Sequence, residues 1–169
     1  QDPPLFAALS KASRRQIKEF NSQNIANTVW AFAKLSVKDQ PLLDAMSSAA
    51  VLTIAEFKPL GLANTAWAYA TLKCRDQTLL DAIAAAALKK ITAFSAPELT
   101  NILWAMATLG YEHRPLLEAI SASAKPKLRE FSTHKLAIFA WSFAVLKCRD
   151  VPLLAAISQE AIAKILEMS

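Results

Sequence analysis

A tryptophan recurs every 37 residues along this chain, and this repeat restricts the possible folds more than any other feature. The four positions are Trp30, Trp67, Trp104 and Trp141. A phenylalanine ten residues before each tryptophan and a leucine thirteen residues after it keep the same step. A fixed period of roughly 20 to 50 residues is typical of stacked copies of one supersecondary unit. Such arrays favour an extended binding surface over an enclosed active site.

Each repeat has the pattern of two helices. Asn21, Ser95 and Ser132 stand where the first helix would begin, and side chains of this type accept the free N–H groups of a helix start. The second helices are expected to begin near Asp39, Asp76, His113 and Asp150. A hydrophobic fraction of 54% with only two glycines suits closely packed helices. We therefore predict an all-α fold, a right-handed α-solenoid (α-α superhelix) of stacked two-helix repeats.

The period divides the chain into units of one helical-repeat domain that spans residues 1–169. A half repeat at 1–19 is followed by full repeats at 20–56, 57–93, 94–130 and 131–167. Solenoids need polar terminal repeats for solubility, and neither end shows an evidently polar one. We therefore expect the chain to be part of a longer array.

A polar and variable stripe runs along the first helix of each repeat. Its positions follow i, i+3, i+4 and i+7 and so share one helix face. Because its residues differ between repeats, the stripe could read one RNA base per repeat. The candidate base contacts are Asn24, Asn27, Thr28, Asn64, Thr65, Glu98, Asn101, Lys135 and Ser142. Two alternatives stay open: a merely solvated face, or an asparagine ladder in which Asn27, Asn64 and Asn101 bond the backbone of the neighbouring repeat.

The tryptophans themselves are expected in the core. An exposed tryptophan can stack on a base. However, a large aromatic residue that recurs in every repeat between alanines suits packing between helices better.

Cations gather at the turn between the two helices of each repeat. Stacking would align them along one edge as a row of phosphate contacts. The candidates are Lys38, Lys73, Arg75, Arg114, Lys147 and Arg149. The alternative is that these cations offset the dipole of the first helix, at whose C-terminal end they lie.

Several classes of function lack support in the sequence. Two isolated glycines cannot form a phosphate-binding loop, and His113 and His134 have no cysteine at metal-ligand spacing. We predict no enzyme activity, no cofactor, no metal and no small-molecule substrate. No apolar run is long enough for membrane insertion. Cys74 and Cys148 lie two repeats apart, too far for a disulfide, which favours a reducing compartment.

Three segments resemble the octotricopeptide repeat, and their 37-residue period is similar to its sister class, the heptatricopeptide repeat. They are Ile25-Ala-Asn-Thr-Val-Trp-Ala-Phe-Ala-Lys-Leu, Leu62-Ala-Asn-Thr-Ala-Trp-Ala-Tyr-Ala-Thr-Leu and Leu99-Thr-Asn-Ile-Leu-Trp-Ala-Met-Ala-Thr-Leu. The fourth repeat departs from the motif at Ile138 and Phe139. The resemblance implies a non-catalytic α-solenoid that binds single-stranded RNA in mitochondria or plastids. Many such proteins carry a C-terminal RAP domain, and none is visible here.

The leading hypothesis is an RNA-binding repeat protein of organellar RNA metabolism, acting in transcript stability, processing, translation or ribosomal RNA assembly. The net charge of +5 is compatible with a polyanionic partner. The alternative is a protein-interaction scaffold, a structural subunit of an organellar complex such as a ribosome or photosynthetic assembly. Ile102, Ile138 and Phe139 on the stripe favour this alternative, because exposed apolar patches often mark protein contacts.

Overall fold

A computed structural model describes residues 3–167, and this part of the chain is helical with no β-strand. Its α-helices are α1 (Pro3–Arg15), α2 (Ser22–Lys34), α3 (Gln40–Leu52), α4 (Pro59–Thr71), α5 (Gln77–Lys90), α6 (Ala96–Leu109), α7 (Arg114–Ala124), α8 (Thr133–Val145) and α9 (Val151–Glu167). Short 3₁₀ helices lie at Ile17–Glu19, Ile54–Glu56, Ile91–Ala93 and Lys125–Glu130. The predicted all-helical class is therefore confirmed.

The helices form two layers. Helices α2, α4, α6 and α8 pack side by side in one layer, and α1, α3, α5 and α7 pack side by side in the other. The first layer is the more closely packed, and small residues such as Ala63 and Ala70 are buried in it. Large apolar side chains, among them Leu43, Leu80 and Leu117, fill the space between the layers. This arrangement is consistent with an α-solenoid.

The helices begin where their capping residues predict. The Asn21 side chain accepts a hydrogen bond in the first turn of α2, and Ser95 with Glu98 forms the capping box of α6. The Asp39 carboxylate accepts from an N–H in the first turn of α3. His113 does the same for α7 through Nδ1. Each bond satisfies a backbone donor that the helix itself leaves unpaired.

Each helix of the closely packed layer ends in the same left-handed turn. One or two residues after the helix end, a residue has a positive φ in all four repeats: 54° at Ser36, 52° at Lys73, 61° at Gly110 and 52° at Lys147. The next N–H then bonds a carbonyl five residues back, as in the 2.9 Å bond from Cys74 to Tyr69. This is the Schellman arrangement, in which glycine is the residue with the least strain.

Lysine side chains join successive repeats. Lys90 Nζ donates to two carbonyl oxygens at the end of the preceding 3₁₀ helix, those of Ala55 at 2.7 Å and Phe57 at 2.6 Å. Lys127 repeats the bond 37 residues later, with 2.6 Å to the Phe94 carbonyl oxygen. Lys164 bonds the Arg129 carbonyl oxygen at 2.9 Å. These lysines therefore stabilise the stack.

A serine–aspartate pair makes a second bond between repeats. The Ser121 hydroxyl on α7 donates to the Asp150 carboxylate, which also caps α9 through the Leu153 N–H at 2.9 Å. The hydrogen bond from Ser121 is the main reason that the pKa of Asp150 lies below its ordinary value of 3.8. The nearby Lys125 ammonium lowers this pKa further.

We expect Lys90→Met to lower the free energy of unfolding by about 1.5–3 kcal/mol, because two carbonyl oxygens lose a charged donor while the aliphatic stem is kept. Urea unfolding measures the change. Lys89→Met, at an exposed neighbouring position, is the matched control and should leave the unfolding midpoint unchanged. Equal midpoints for the two variants would contradict the structural role of Lys90.

Replacing Ser121 by Ala should cost about 1–2 kcal/mol of stability at neutral pH. Because the folded-state pKa of Asp150 is lowered, its contribution is complete above 3.8 and disappears as the pH falls through the folded-state value. The stability difference between Ser121→Ala and the wild type should therefore shrink below pH 3.8. Thermal melts across pH measure it, with the exposed Ser158→Ala as control. A difference independent of pH would contradict this assignment.

Candidate nucleic-acid interface

A row of asparagine side chains lies on the outer face of the closely packed layer. Asn27 is exposed, and Asn64 and Asn101 are half-buried at the equivalent positions. No hydrogen bond within residues 3–167 engages any of the three side-chain amides. The asparagine ladder between neighbouring repeats therefore does not form. Each amide keeps a free donor and a free acceptor for a ligand.

The tryptophans lie beside this row, and the expectation that they are core residues is wrong for Trp30 and Trp141, whereas Trp67 and Trp104 pack against the core. Trp30 is 42% exposed and Trp141 is 48% exposed, whereas Trp67 and Trp104 are half-buried with their ring centroids 6.5 Å apart. The reason is helical phase. The core-facing residues of α2 include Val29, and each further residue turns about 100° around the helix. Trp30 therefore points to the flank of the outer face.

The other candidate base contacts divide by location. Thr65 is 1% exposed and Ser142 is fully buried, where its hydroxyl bonds the Ile138 carbonyl oxygen at 2.8 Å, so neither lies on the outer face. Asn24 and Glu98 each accept the N–H of their own N-cap residue, at 3.1 and 2.7 Å. The side chains of Asn24 and Glu98 therefore cap the N-terminal ends of α2 and α6.

Thr28 and Lys135 are half-buried on the flank of the stripe. Two apolar residues that favoured a protein scaffold, Ile102 and Phe139, are buried. Ile138, at the position equivalent to Asn27, is half-buried. Besides the indole rings, the outer face exposes the apolar side chains of Leu60 and Val145. The local argument from Ile102 and Phe139 for a protein partner is therefore wrong.

The six candidate phosphate contacts are exposed at the turns that follow the closely packed helices. The structure brings Arg114, Lys147 and Arg149 of two neighbouring repeats to one cavity of about 210 Å³, which Glu112 and Glu118 also line. Arg114 is 3.4 Å from Glu112, in a pair exposed enough to contribute little. These cations form one edge of the stack, and their position also suits the helix dipoles.

Three of the acidic residues beside these cations face inward, whereas Glu112 and Glu118 are exposed. Asp39, Asp76 and Asp150 are half-buried, and each accepts an N–H of the helix that it caps. Their side chains therefore serve helix capping at this edge.

Lys34 is a cation that the sequence interpretation missed. Its Nζ lies 5.8 Å from the centre of the Trp30 ring, in the geometry of a cation–π contact. A signal was present, because Asn27, Trp30 and Lys34 follow the i, i+3, i+7 spacing of one helix face. The outer face thus combines unpaired amides, indole rings and cations.

Other chemistry is not apparent in the described part of the chain. No group of three or more histidine, cysteine or acidic residues between positions 3 and 167 could hold a metal ion. None of the helices there is both long and apolar enough to cross a bilayer. Burial raises the pKa of the Cys148 thiol, which makes it a poorer nucleophile.

Two family models match the chain. The model of the FAST kinase-like protein, subdomain 1, matches residues 99–167. The model of the RNA-editing substrate-binding complex 6 protein matches residues 1–114. No curated protein matches the chain. Since the second model covers more than half of the 169 residues, the chain belongs to the RNA-editing substrate-binding complex 6 protein family.

Proposed function

We propose that this protein binds single-stranded RNA along the outer face of the layer formed by α2, α4, α6 and α8. One observation carries the proposal: exposed indole rings lie beside side-chain amides that have no partner in the described structure. Aromatic faces stack on bases of any identity. Amides supply the paired donor and acceptor that base edges require.

The components of a nucleotide fit different parts of this face. Bases would stack on Trp30 and Trp141, with Asn27, Asn64 and Asn101 at their edges. Phosphates would lie along the basic edge at the ends of the same helices, where Lys73 and Arg75 are exposed. Phosphate contacts set position and affinity, and base contacts set sequence preference.

The family assignment supports this proposal, because the family is named for a complex that binds RNA-editing substrates. We propose a non-catalytic role in organellar RNA processing. We also propose that the two layers continue as a right-handed superhelix of 37-residue repeats of octotricopeptide or heptatricopeptide type. A superhelix of this kind would let successive repeats follow an extended strand.

A second candidate function, as a protein scaffold, is favoured by α9. This helix exposes Val151, Ile162 and Leu166, and clustered exposed apolar residues often mark protein contacts. The two functions are compatible, because α9 lies at the end of the stack, whereas the indole rings lie on the outer face of the layer formed by α2, α4, α6 and α8.

Trp30→Ala and Trp141→Ala should each weaken binding to a random single-stranded RNA pool by about tenfold, because a stacked base contributes about 1–3 kcal/mol. Both side chains are exposed enough for the fold to tolerate truncation. Fluorescence anisotropy at fixed salt measures the affinity. Leu52→Ala, which removes an 86% exposed apolar side chain from the other layer, is the control.

Wild-type affinity in both tryptophan variants would exclude stacking on the indole rings. Absence of binding by the wild-type protein even at low salt would reject RNA binding itself and leave the scaffold function. The control variant should bind as the wild type does. A loss in all three variants would indicate an unspecific effect on the fold.

Lys73→Gly should separate stability from binding. Glycine relieves the left-handed backbone at this position and should raise the free energy of unfolding by about 1 kcal/mol. The lost cation should weaken RNA binding and reduce the slope of log affinity against log salt by about 0.7. Urea unfolding and salt titrations measure the two effects.

Ser36→Gly is the matched control for this variant. It changes the equivalent turn, with nearly the same φ, without removing a charge. We expect the same gain in stability and an unchanged salt slope. If both variants kept the wild-type slope, Lys73 would not contact phosphate and its position would reflect only the helix dipole.

A further inference from the structure

A groove separates the N-terminal ends of α2 and α4 on the outer face. Its volume is about 510 Å³, within the roughly 300–1,000 Å³ range of small-ligand sites. Ala26 and Phe57, both buried, form an apolar floor. Gln23, Asn27 and Asn64 line it with side-chain amides that have no partner in the described structure. The groove thus combines an apolar floor with unpaired polar groups.

This groove depends on the missing side chain of Gly61. A Cβ atom at Gly61 would lie 3.2 Å from Phe57 Cδ1 and 3.8 Å from Ala26 Cβ, directly against the floor. The equivalent positions of the other repeats carry Asn24, Glu98 and Lys135. The second repeat therefore differs from the others at the position that opens the groove.

The same glycine weakens the start of α4. In α6 the Glu98 carboxylate accepts the Ser95 N–H at 2.7 Å, and the start of α2 has the same reciprocal arrangement. In α4 the N-cap residue is Lys58, which makes no side-chain capping bond. Glycine and a missing cap both destabilise a helix. A residue that lowers the stability of a helix without improving its packing is expected at functional positions.

We propose that this groove, the Gly61 groove, binds one nucleobase splayed out of a single-stranded RNA. The inference rests on the proposed function and assigns a base-specific subsite to it. A planar base covers the floor over Ala26 and Phe57, while the amides of Gln23, Asn27 and Asn64 bond its edge. Splayed bases of single strands are the usual target of sequence-specific RNA recognition.

The charges around the Gly61 groove favour a base over a free phosphate. Lys58 and Glu56 both line it. The Lys58 ammonium suits the phosphate that adjoins the bound base. The Glu56 carboxylate repels an anion in the groove and accepts from an exocyclic amino group, as carboxylates do with cytosine.

The test is selection from a random single-stranded RNA pool with Gly61→Gln. Glutamine restores the capping side chain that α4 lacks and fills the groove without changing the net charge. The wild type is expected to select a motif with one dominant position. In Gly61→Gln the base preference at that position should fall by about tenfold, with overall affinity within a few-fold and a thermal midpoint no lower than that of the wild type.

Two further variants make the outcome specific. Ala85→Gln adds the same side chain to an exposed position of α5, in the other layer, and should keep the wild-type motif. Gln23→Ala removes one amide without adding volume, and it should give the same loss of base preference at the dominant position. This result does not depend on whether Gly61→Gln folds well. An unchanged motif in Gly61→Gln and Gln23→Ala, with RNA still bound, overturns the Gly61 groove but not the proposed function. A wild type that retains no RNA overturns both.

Discussion

The packing of each first helix against the next is the constraint on which the rest of this structure depends. A two-helix repeat has apolar residues on both flanks, as Ala66 and Ala68 of α4 illustrate, since two residues differ by about 200° around a helix. The repeat buries both flanks only when neighbours are present. Small side chains allow close approach between these helices. Because these helices lie so close together, only a narrow strip of the layer remains exposed to solvent. The proposed binding face is therefore a direct consequence of how the repeats pack.

That packing makes the indole row uneven. Trp67 and Trp104 lie between neighbouring helices and contact each other, whereas Trp30 and Trp141 expose much more of their rings. Identical residues at identical repeat positions therefore offer different surfaces to a ligand. A row of this kind favours stacking at the outer repeats and edge contacts at the inner ones.

Helix capping determines how the charges are distributed. The carboxylates of Asp76 and Asp150 each bond a helix N–H and a serine of the preceding repeat. Lys90 and Lys127 bond carbonyl oxygens between repeats. These charged groups therefore make hydrogen bonds within the fold. Six of the cations that remain exposed follow the left-handed ends of the first helices and lie along one edge, and others, among them Lys58 and Lys89, are exposed elsewhere.

Much of the fold followed from periodicity and capping chemistry. The 37-residue step and residues such as Asn21, Asp39 and Ser132 predicted where the helices begin, because these signals act over a few neighbouring residues. The sequence also located the cations at the helix-connecting turns, where the structure exposes them.

The composition of the outer face depended on contacts between repeats. The exposure of Trp30, the burial of Thr65 and the groove at Gly61 all follow from which neighbouring helix lies beside each flank. A helical repeat pattern identifies residues that share a face but not how much of that face a neighbour covers. Sequence was therefore sufficient for the helices and their order. Tertiary packing alone decided which side chains remain free to bind a ligand, because burial is a property of the stack and not of a single repeat.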